Sequence, residues 1–432
     1  MPRADFSRAF LETLLQTERL PKAGLRHYQA ELLARFLEHA ATNVPFYRER
    51  RVAYGATDVC SRAWLQTPTI DRSSLAAHGR ELRARRVPRG HGDVRIISSG
   101  GSTAIPVSIA LTNLESISRV LPTYRMFTGY GMDPGLPLFM IRNKSYAAAW
   151  IDDLVYRKWA YPWLPEAKLG DRIHIDIELS PDAQLDTLSA RAPAYANTLP
   201  SNILRLGLES RRTGKAPSIP VLIAVAEHLP PEVTALAGQA FGSRVINILT
   251  SSEAGVIAIQ CPASHLLHVQ SERVLAEVLD ENGRPCVAGE TGEVVVTPFY
   301  NYAMPLIRYR TGDYVVQGGD CPCGRSLPTI ERFVGRKEHL FNFPDGSCRV
   351  PSIDRVRISE WIGHDAWQLV QTGHAQAELR YEHSPEIGAA ADAIRDHVLD
   401  GLGGDWSIDV TEVAKVPKTG GGKRHFCVSA VA

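Results

Sequence analysis

Two short runs of apolar and β-branched residues, 219–226 and 244–249, constrain the fold of this chain more than any other feature of its sequence. Each run is bounded by Pro or Gly, as is typical of a strand that is buried inside a sheet. Each also ends beside a polar cluster: Glu227-His228 follows the first run, and Thr250 to Glu253 follow the second. Because open α/β sheets bind ligands beyond the carboxyl ends of their strands, both clusters are candidate functional sites.

The pattern changes after residue 275, where short β runs alternate with Gly-rich turns as far as residue 317. This alternation predicts a small, largely antiparallel β unit. A chain of 432 residues exceeds what one hydrophobic core organises, so we expect at least two domains. We predict an α/β fold with a large N-terminal domain of sheets flanked by helices, residues 1–335, and a small mobile α+β C-terminal domain, residues 336–432.

Two segments have the sequence pattern of helices. Residues 27–40 carry apolar side chains at helical spacing with charged residues on the opposite face. Residues 386–402 predict a second helix, with Ser384 as its N-cap, Pro385 in its first turn and Gly403-Gly404 as its end.

The charge balance excludes whole classes of partner. The chain has 48 basic and 47 acidic residues and a net charge of +1, which offers no general attraction to nucleic acid or to an anionic membrane. No stretch has the uninterrupted apolar character of a secretory signal or of a bilayer span. We therefore expect a cytoplasmic protein with neither a nucleic-acid nor a membrane partner, in which the seven cysteines are thiols or metal ligands rather than a disulfide framework.

A loop rich in hydroxyls and glycine, Ser98-Ser99-Gly100-Gly101-Ser102-Thr103, follows the apolar pair Ile96-Ile97. Consecutive backbone N–H groups and hydroxyls can surround a polyphosphate. No Gly-Lys-Ser/Thr follows, so the loop is not a Walker loop. Taken alone, such a run is more often an ordinary surface loop.

The run 301–313, which ends in Arg308-Tyr309-Arg310-Thr311-Gly312-Asp313, is more specific. We expect Asp313 to follow a turn glycine at the end of a β run, where its carboxylate can accept hydrogen bonds from two ribose hydroxyls. The alternative is a turn aspartate that satisfies the backbone of its own loop.

A lysine, Lys423, follows the glycine-rich segment Thr419-Gly420-Gly421-Gly422 near the C-terminus. A long cationic side chain on such a hinge can stabilise the charge that develops when a carboxylate attacks an α-phosphate. A solvated tail lysine is the more common explanation of such a residue taken by itself.

Taken in order, these motifs resemble those of the adenylate-forming enzymes, and specifically the branch of phenylacetate-CoA ligase and the capsule-biosynthesis ligases. The resemblance runs from about residue 28 to the C-terminus. The motifs that carry it are Val44–Arg48, Ser98–Pro106, Ala226–Leu229, Ser251–Glu253, Gly289–Glu293, Pro305–Asp313, Gly335-Arg336 and Pro417–Lys423.

The resemblance implies roles for several of the matched residues. The phosphates of ATP would be held by Ser98, Ser99, Gly100, Ser102 and Thr103. Glu253 would bind Mg²⁺, with Glu227 and Ser252 also at the nucleotide. Asp313 and Arg336 would hold the ribose, and Lys423 would contact the carboxylate and the α-phosphate. Glu338 would lie at the hinge about which the C-terminal domain turns between two half-reactions.

The activity implied is the ATP-dependent, AMP-forming activation of a carboxylic acid to an acyl-adenylate. Transfer to coenzyme A, or to an amine or another nitrogen nucleophile, would follow. Residues 124–130, 142–150 and 223–226 mix aromatic and small side chains, consistent with an aromatic or short polar acid. Two alternatives remain: a nucleotidyltransferase that places AMP on a hydroxyl of a small molecule, and a non-catalytic homologue that only binds a ligand. A homodimer is also left open.

Four residues form a candidate metal site: Cys261, His268, Cys321 and Cys323, with His265 as a spare ligand. Three thiolates and one imidazole suit tetrahedral Zn²⁺, and members of the resembled branch have a similar set. We predict a structural zinc that pins two loops and takes no part in catalysis. Buried free thiols are the alternative.

Overall fold

The computed structural model describes residues 3–50, 58–59, 61–99, 107–143, 158, 168–385, 390–418 and 424–431. Its helices are α1 (Arg3–Thr17), α2 (Lys22–Asn43), α3 (Pro45–Glu49), α4 (Arg62–Leu65), α5 (Arg72–His78), α6 (Asn113–Ser118), α7 (Pro122–Gly129), α8 (Pro181–Arg191), α9 (Pro200–Thr213), α10 (Pro231–Phe241), α11 (Arg355–Ile362) and α12 (Ala391–Leu402).

The strands are β1 (Val94–Ser99), β2 (Val107–Thr112), β3 (Leu138–Arg142), β4 (Arg172–Asp176), β5 (Tyr195–Thr198), β6 (Val221–Val225), β7 (Arg244–Ser251), β8 (Gly255–Gln260), β9 (Leu267–Val269), β10 (Val274–Leu279), β11 (Thr291–Pro298), β12 (Tyr309–Gln317), β13 (Thr329–Arg336), β14 (Phe341–Asn342), β15 (Cys348–Arg349), β16 (Trp367–Gly373), β17 (Gln376–Glu382), β18 (Ser407–Val413) and β19 (Cys427–Ser429).

The chain divides into two compact units. The first comprises residues 1–134, 160–169 and 247–333, and the second comprises residues 135–159, 170–246 and 334–432. The chain therefore passes between units within β7 and again within β13. A boundary at residue 335 between a nucleotide-binding domain and a C-terminal lid stays a prediction.

The first unit is built on antiparallel strands. Strands β10, β11, β12, β13, β9, β8 and β7 are neighbours in that order, and β1 pairs with β2 in a separate ribbon. The antiparallel pairing of β10 with β11 and of β11 with β12 confirms the β unit predicted after residue 275. Helix α2 contains the predicted helical segment 27–40, and it buries Leu33, Phe36 and Leu37 in the core of this unit.

The second unit contains parallel strands and a separate smaller sheet. Strands β6, β5, β3 and β4 are parallel neighbours, and helices α8, α9 and α10 alternate with them along the chain. The smaller sheet has the order β18, β17, β16, β19 and is accompanied by α11 and α12. A mixed α/β fold with an α+β sheet near the C-terminus is thus confirmed, whereas the mobility of that part stays a prediction.

The predicted cap of the last helix is wrong. Helix α12 begins at Ala391 with Ala390 in the N-cap position, and residues 386–389 lie outside the described residues. The Ser384 hydroxyl is buried and donates instead to the carbonyl of Ile362 at the end of α11. The predicted end at Gly403 is confirmed, since its N–H donates to Leu399 O over 2.9 Å at a φ of +68°.

Crossing a bilayer would need a longer and more apolar helix than any in the described part of the chain. The cytoplasmic location stays a prediction.

Candidate active site

Glu253 lies in the tight turn between β7 and β8, and its side chain is 7% exposed. The turn is closed by a hydrogen bond of 2.9 Å from Ala254 N to Ser251 Oγ. The phenol of Tyr309 donates to Glu253 Oε1 over 3.3 Å. Strand β12 therefore helps to hold the carboxylate that we predict to bind Mg²⁺.

The segment before Tyr309 is fixed by a tyrosine from the Val44–Arg48 motif. The hydroxyl of Tyr47 donates to Pro305 O over 3.0 Å and accepts from Ile307 N over 3.1 Å. Two motifs that are about 260 residues apart in the sequence thus meet through one buried side chain. Sequence reasoning did not give Tyr47 a role.

Arg308 also anchors the segment that precedes Tyr309. It is 1% exposed and has a φ of +50°, a left-handed backbone conformation that is uncommon for a residue with a side chain. Its guanidinium forms an ion pair with Glu277 at 3.0 Å and donates to the carbonyls of Trp64, Leu65 and Thr67. The strand that carries Tyr309 and Asp313 therefore starts from a firmly held position.

Asp313 lies within β12, four residues before the strand ends, so the expectation that it closes a β run is wrong. Gly312 before it has a φ of +75°, and the pairing of β11 with β12 shifts register between Glu293 and Val295. The glycine thus serves an irregularity inside the strand rather than a turn after it. Asp313 is 5% exposed, and its N–H donates to Thr311 Oγ1 over 3.1 Å.

Glu227 follows β6 as predicted, and it contacts the first turn of helix α9. Its carboxylate accepts from Ser201 N over 2.9 Å and from Ser201 Oγ over 3.1 Å. A carboxylate at this position satisfies a free backbone donor and opposes the positive end of the helix dipole. This contact fixes the side chain independently of any ligand.

Arg336 ends β13, and its N–H donates to Nδ1 of His339 over 3.3 Å. The predicted hinge residue Glu338 lies in the short 3₁₀ turn Lys337–His339. The rings of His339 and His425 are tilted by 39° to each other, with centroids 4.4 Å apart. Burial lowers the pKa of His339 to about 2, together with the positive charges of His425, Arg336, Arg355 and His228.

The predicted phosphate loop and the predicted catalytic lysine are largely outside the described residues. Ser98 and Ser99 end β1, where they pair with Ser108 and Val107, whereas Gly100, Ser102 and Thr103 are not described. Lys423 is not described either. The description resumes at Arg424, which forms a buried ion pair of 2.8 Å with Asp365.

The structure brings the four predicted metal ligands together. The ligand atoms of Cys261, His268, Cys321 and Cys323 all lie within 4.8 Å of one another, on the β8–β9 and β12–β13 segments. The sulfurs of Cys261 and Cys321 are 3.7 Å apart, and Cys323 Sγ is 3.3 Å from His268 Nε2. Ligands at Zn–S distances of about 2.3 Å in a tetrahedron are about 3.8 Å apart. These two separations are near that value, and the limit of 4.8 Å for the whole set is wider, so zinc would draw the ligands slightly together.

The electrostatics of two members of this cluster suit a metal, whereas burial and the neighbouring cysteines raise the pKa of the Cys323 thiol to about 11. Burial and the charge of Arg325 lower the pKa of His268 to about 4, so its imidazole is neutral at physiological pH. Burial raises the pKa of the Cys321 thiol, but hydrogen bonds from the Ser264 hydroxyl and from Cys323 outweigh it and leave the pKa lowered. His265, the spare ligand, is exposed and is not part of the cluster.

No family model matches the chain. The chain is 24% identical over 447 residues to the phenylacetate-coenzyme A ligase of the bacterium Thermus thermophilus, with 94% of this chain and 97% of that ligase covered. Among solved structures, 2-hydroxyisobutyryl-CoA ligase in the postadenylation state, in complex with R3-HIB-AMP, superimposes with a TM-score of 0.75 and 19% identity. That match covers 95% of this chain and 90% of the ligase.

The chain shares the fold of this CoA ligase. The anthranilate CoA ligase AuaEII in complex with anthranoyl-AMP also shares it, with a TM-score of 0.55 and 16% identity over 78% of this chain and 65% of that ligase. The similarity extends along nearly the whole of the Thermus enzyme. The resemblance to the phenylacetate-CoA ligase branch of the adenylate-forming superfamily is therefore confirmed.

Within this adenylate-forming fold, sequence reasoning missed the charged residues beneath the Glu253 turn. Arg119 donates to the carbonyls of Ser252 and Glu253, and Glu115 forms an ion pair with Arg119 over 3.1 Å. A signal was present, because Glu115 and Arg119 are an i, i+4 charge pair beside an apolar segment. Their partners in the turn between β7 and β8 could not be inferred from that spacing.

Proposed function

We propose that the protein is an AMP-forming acid–CoA ligase. The observation that carries the proposal is the hydrogen bond of 3.3 Å between Tyr309 and Glu253, which joins two motifs that the sequence assigns separately to the nucleotide. The similarity to phenylacetate-coenzyme A ligase along 97% of its length supports the same activity.

In the first half-reaction, a carboxylate oxygen of the acid attacks the α-phosphorus of ATP. The bond from that phosphorus to the oxygen bridging to the β-phosphate breaks, and pyrophosphate leaves. In the second, the thiol of coenzyme A attacks the acyl carbon, loses its proton, and releases AMP. Holding the acid and ATP on one frame supplies much of the rate of the first step.

Each proposed role uses a side chain whose chemistry suits it. Asp313 accepts from the ribose hydroxyls, and Arg336 donates to the same sugar. The loop from Ser98 to Thr103 surrounds the β and γ phosphates, and Lys423 stabilises the charge that develops on the α-phosphate. Glu227 and Ser252 complete the surroundings of the nucleotide.

The buried carboxylate of Glu253 fits a magnesium ion, because Mg²⁺ prefers oxygen ligands and is usually held by one or two carboxylates together with the substrate phosphates. Glu253 would hold the ion beside ATP, where the ion would neutralise phosphate charge. Tyr309 donates one hydrogen bond to the carboxylate and so fixes its orientation.

We also propose that Cys261, His268, Cys321 and Cys323 hold a structural zinc. Their ligand atoms lie close enough together to surround one tetrahedral ion, and a set of four protein ligands leaves no open position for a substrate. The role is therefore to fasten the β8–β9 segment to the β12–β13 segment, and it does not extend to catalysis.

The activity is tested by acid-dependent release of pyrophosphate from Mg-ATP with purified, zinc-replete protein. Phenylacetate, 2-hydroxyisobutyrate and anthranilate span the aromatic and short polar acids that we expect. Release that needs both an acid and Mg²⁺ supports the proposal. Its complete absence across a broad acid library would overturn it.

A second measurement identifies the acceptor. With the active acid, coenzyme A should give a thioester and AMP, whereas hydroxylamine alone should trap the acyl-adenylate. An amide formed with an amine, and no thioester, would move the assignment to a nitrogen nucleophile. The comparisons do not favour AMP transfer to a hydroxyl or a non-catalytic role, and a homodimer stays a prediction.

A further inference from the structure

A buried network of charges lies directly beneath the Glu253 turn, in the first unit. Its members are Glu115 and Arg119, at helix α6, and Arg273 immediately before β10. The exposed fractions of the three side chains are 0%, 7% and 0%. Charged residues are almost never buried to this degree unless their charges are paired.

The network is organised around the carboxylate of Glu115. Its Oε1 accepts from Arg119 Nε over 3.1 Å and from Arg273 Nη2 over 2.7 Å. Its Oε2 accepts from the Ser118 hydroxyl over 2.8 Å. One carboxylate thus joins the two guanidinium groups and balances one of their two charges.

Each guanidinium also donates from one nitrogen to the backbone of the turn. Arg119 Nη2 donates to Ser252 O and to Glu253 O, each over 2.7 Å. Arg273 Nη1 donates to Ala254 O. Three successive carbonyls, centred on Glu253, therefore each accept from a buried cation.

The arginines pack closely against the turn at Gly255. Gly255 has a φ of +74°, and a Cβ atom placed there would lie 2.8 Å from Cγ of Arg119. Only glycine therefore lets the arginine approach the turn this closely. Arg119 and Arg273 hold the backbone around Glu253, while Tyr309 holds its carboxylate.

We propose that Glu115, Arg119 and Arg273 are positioning residues for the metal–nucleotide site: they fix the backbone of residues 252–254 so that Glu253 presents its carboxylate to Mg²⁺. The proposal rests on the proposed function only in taking Glu253 as the ligand of the ion that accompanies ATP. A ligand carboxylate must be held within about 0.5 Å of its working position, which loop residues without such support do not achieve.

Arg119→Lys is the main test, because lysine keeps the positive charge but cannot donate in a fixed fork to two carbonyls and to Glu115. We expect the Mg²⁺ concentration for half-maximal pyrophosphate release to rise at least about fivefold, with little change in the KM for the acid. Ser118→Ala, which removes one donor to Glu115, should fold normally and shift the Mg²⁺ dependence in the same direction by less.

Arg125→Lys is the matched control. Arg125 is equally buried in the same unit, pairs with Glu18 and Glu272, and does not touch residues 252–254. The Arg125→Lys variant should lose about as much thermal stability as Arg119→Lys and keep the wild-type Mg²⁺ dependence. If Arg119→Lys and Ser118→Ala leave the Mg²⁺ dependence unchanged, or if Arg125→Lys shifts it equally, the network is only structural and the proposal falls.

Calorimetric titration with ATP, in the presence and in the absence of added Mg²⁺, separates this proposal from the proposed activity. Arg119→Lys should weaken the binding of Mg-ATP and leave the binding of metal-free ATP unchanged. If the wild type is active and Arg119→Lys binds Mg-ATP with the same affinity, only the positioning role is overturned. If the wild type binds Mg-ATP but releases no pyrophosphate, the proposed ligase activity is overturned. The binding comparison then still tests the positioning role. A wild type that does not bind Mg-ATP overturns both.

Discussion

Tyr309 donates its phenolic hydrogen to Glu253 Oε1 across 3.3 Å, and the bond joins strand β12 to the turn between β7 and β8. Both residues are almost fully buried, so water cannot replace the donor efficiently. Four predictions extend from this bond, the C-terminal lysine, the cysteine cluster and a buried histidine.

Tyr309→Phe should raise the KM for Mg-ATP about tenfold, since a hydrogen bond to a charged group contributes about 1.5–3 kcal/mol and this one is long. Acid-dependent pyrophosphate release at varied Mg-ATP gives the value. Tyr381→Phe is the control, because Tyr381 is 9% exposed and lies in β17 of the separate four-stranded sheet. Equal effects of the two changes would contradict the assignment.

Lys423→Ala should lower the rate of pyrophosphate release by about 100-fold or more, because a lost charge contact to the transition state has that order of effect. ATP binding, measured by calorimetry, should persist. Lys415→Ala removes an exposed lysine from the same C-terminal segment and should keep the wild-type rate. A Lys423→Ala enzyme with wild-type turnover would remove the lysine from the mechanism.

The purified protein should contain one zinc per chain, as measured by elemental analysis. Cys261→Ser should lose that zinc and lower the melting temperature by about 5 °C or more, because the folding free energy of such a site comes from metal binding. Cys286→Ser, at a cysteine outside the cluster, should change neither quantity. A metal-free wild type with unaltered stability would refute the zinc assignment.

The buried His339 should make the protein less stable in mild acid. Its folded-state pKa of about 2 lies far below the pKa of about 6.5 expected in the unfolded chain, so only the unfolded chain takes up this proton as the pH falls below 6.5. The contribution of His339 to the free energy of unfolding should therefore be fully present above pH 6.5. Below pH 6.5, the titration of this group should lower the free energy of unfolding by about 1.4 kcal/mol per pH unit.

His339→Asn keeps an acceptor near Nδ1 and removes the titration. Urea unfolding between about pH 7 and pH 5 should show a shallower decline for this variant than for the wild type. His383→Asn provides the control, since the side chain of His383 is 76% exposed and should leave the slope unchanged. Parallel slopes for all three proteins would contradict the assignment.

The strands could be predicted from the sequence where local chemistry decided them. The runs at 219–226 and 244–249 are apolar, β-branched and bounded by breakers, and both formed buried strands. The prediction that Asp313 ends a β run was wrong because a glycine with positive φ has the same sequence signal in a turn and in a β-bulge. The partner strand decides between them, and Glu293 on β11 lies 20 residues away.

The cysteine cluster was predictable for a different reason. The Cys-x-Cys pair is a weak signal by itself, and the similar Cys/His set of the resembled branch identified His268 and the three cysteines before their distances were known. The sequence carried no such signal for the residues that hold the Glu253 turn. Arg119 is 133 residues from Ser252, and Arg273 is 158 residues from Glu115, so only the folded chain brings them together.

The environment of Arg308 has a consequence for how the sequence of such a protein can change over generations. One guanidinium serves Glu277 and three carbonyls between residues 64 and 67, at a backbone conformation of φ +50°. Loss of the arginine alone would strand a buried carboxylate, and loss of the glutamate alone would strand a buried cation. Positions 277 and 308 should therefore be inherited as a pair, and lineages that replace one should have replaced the other.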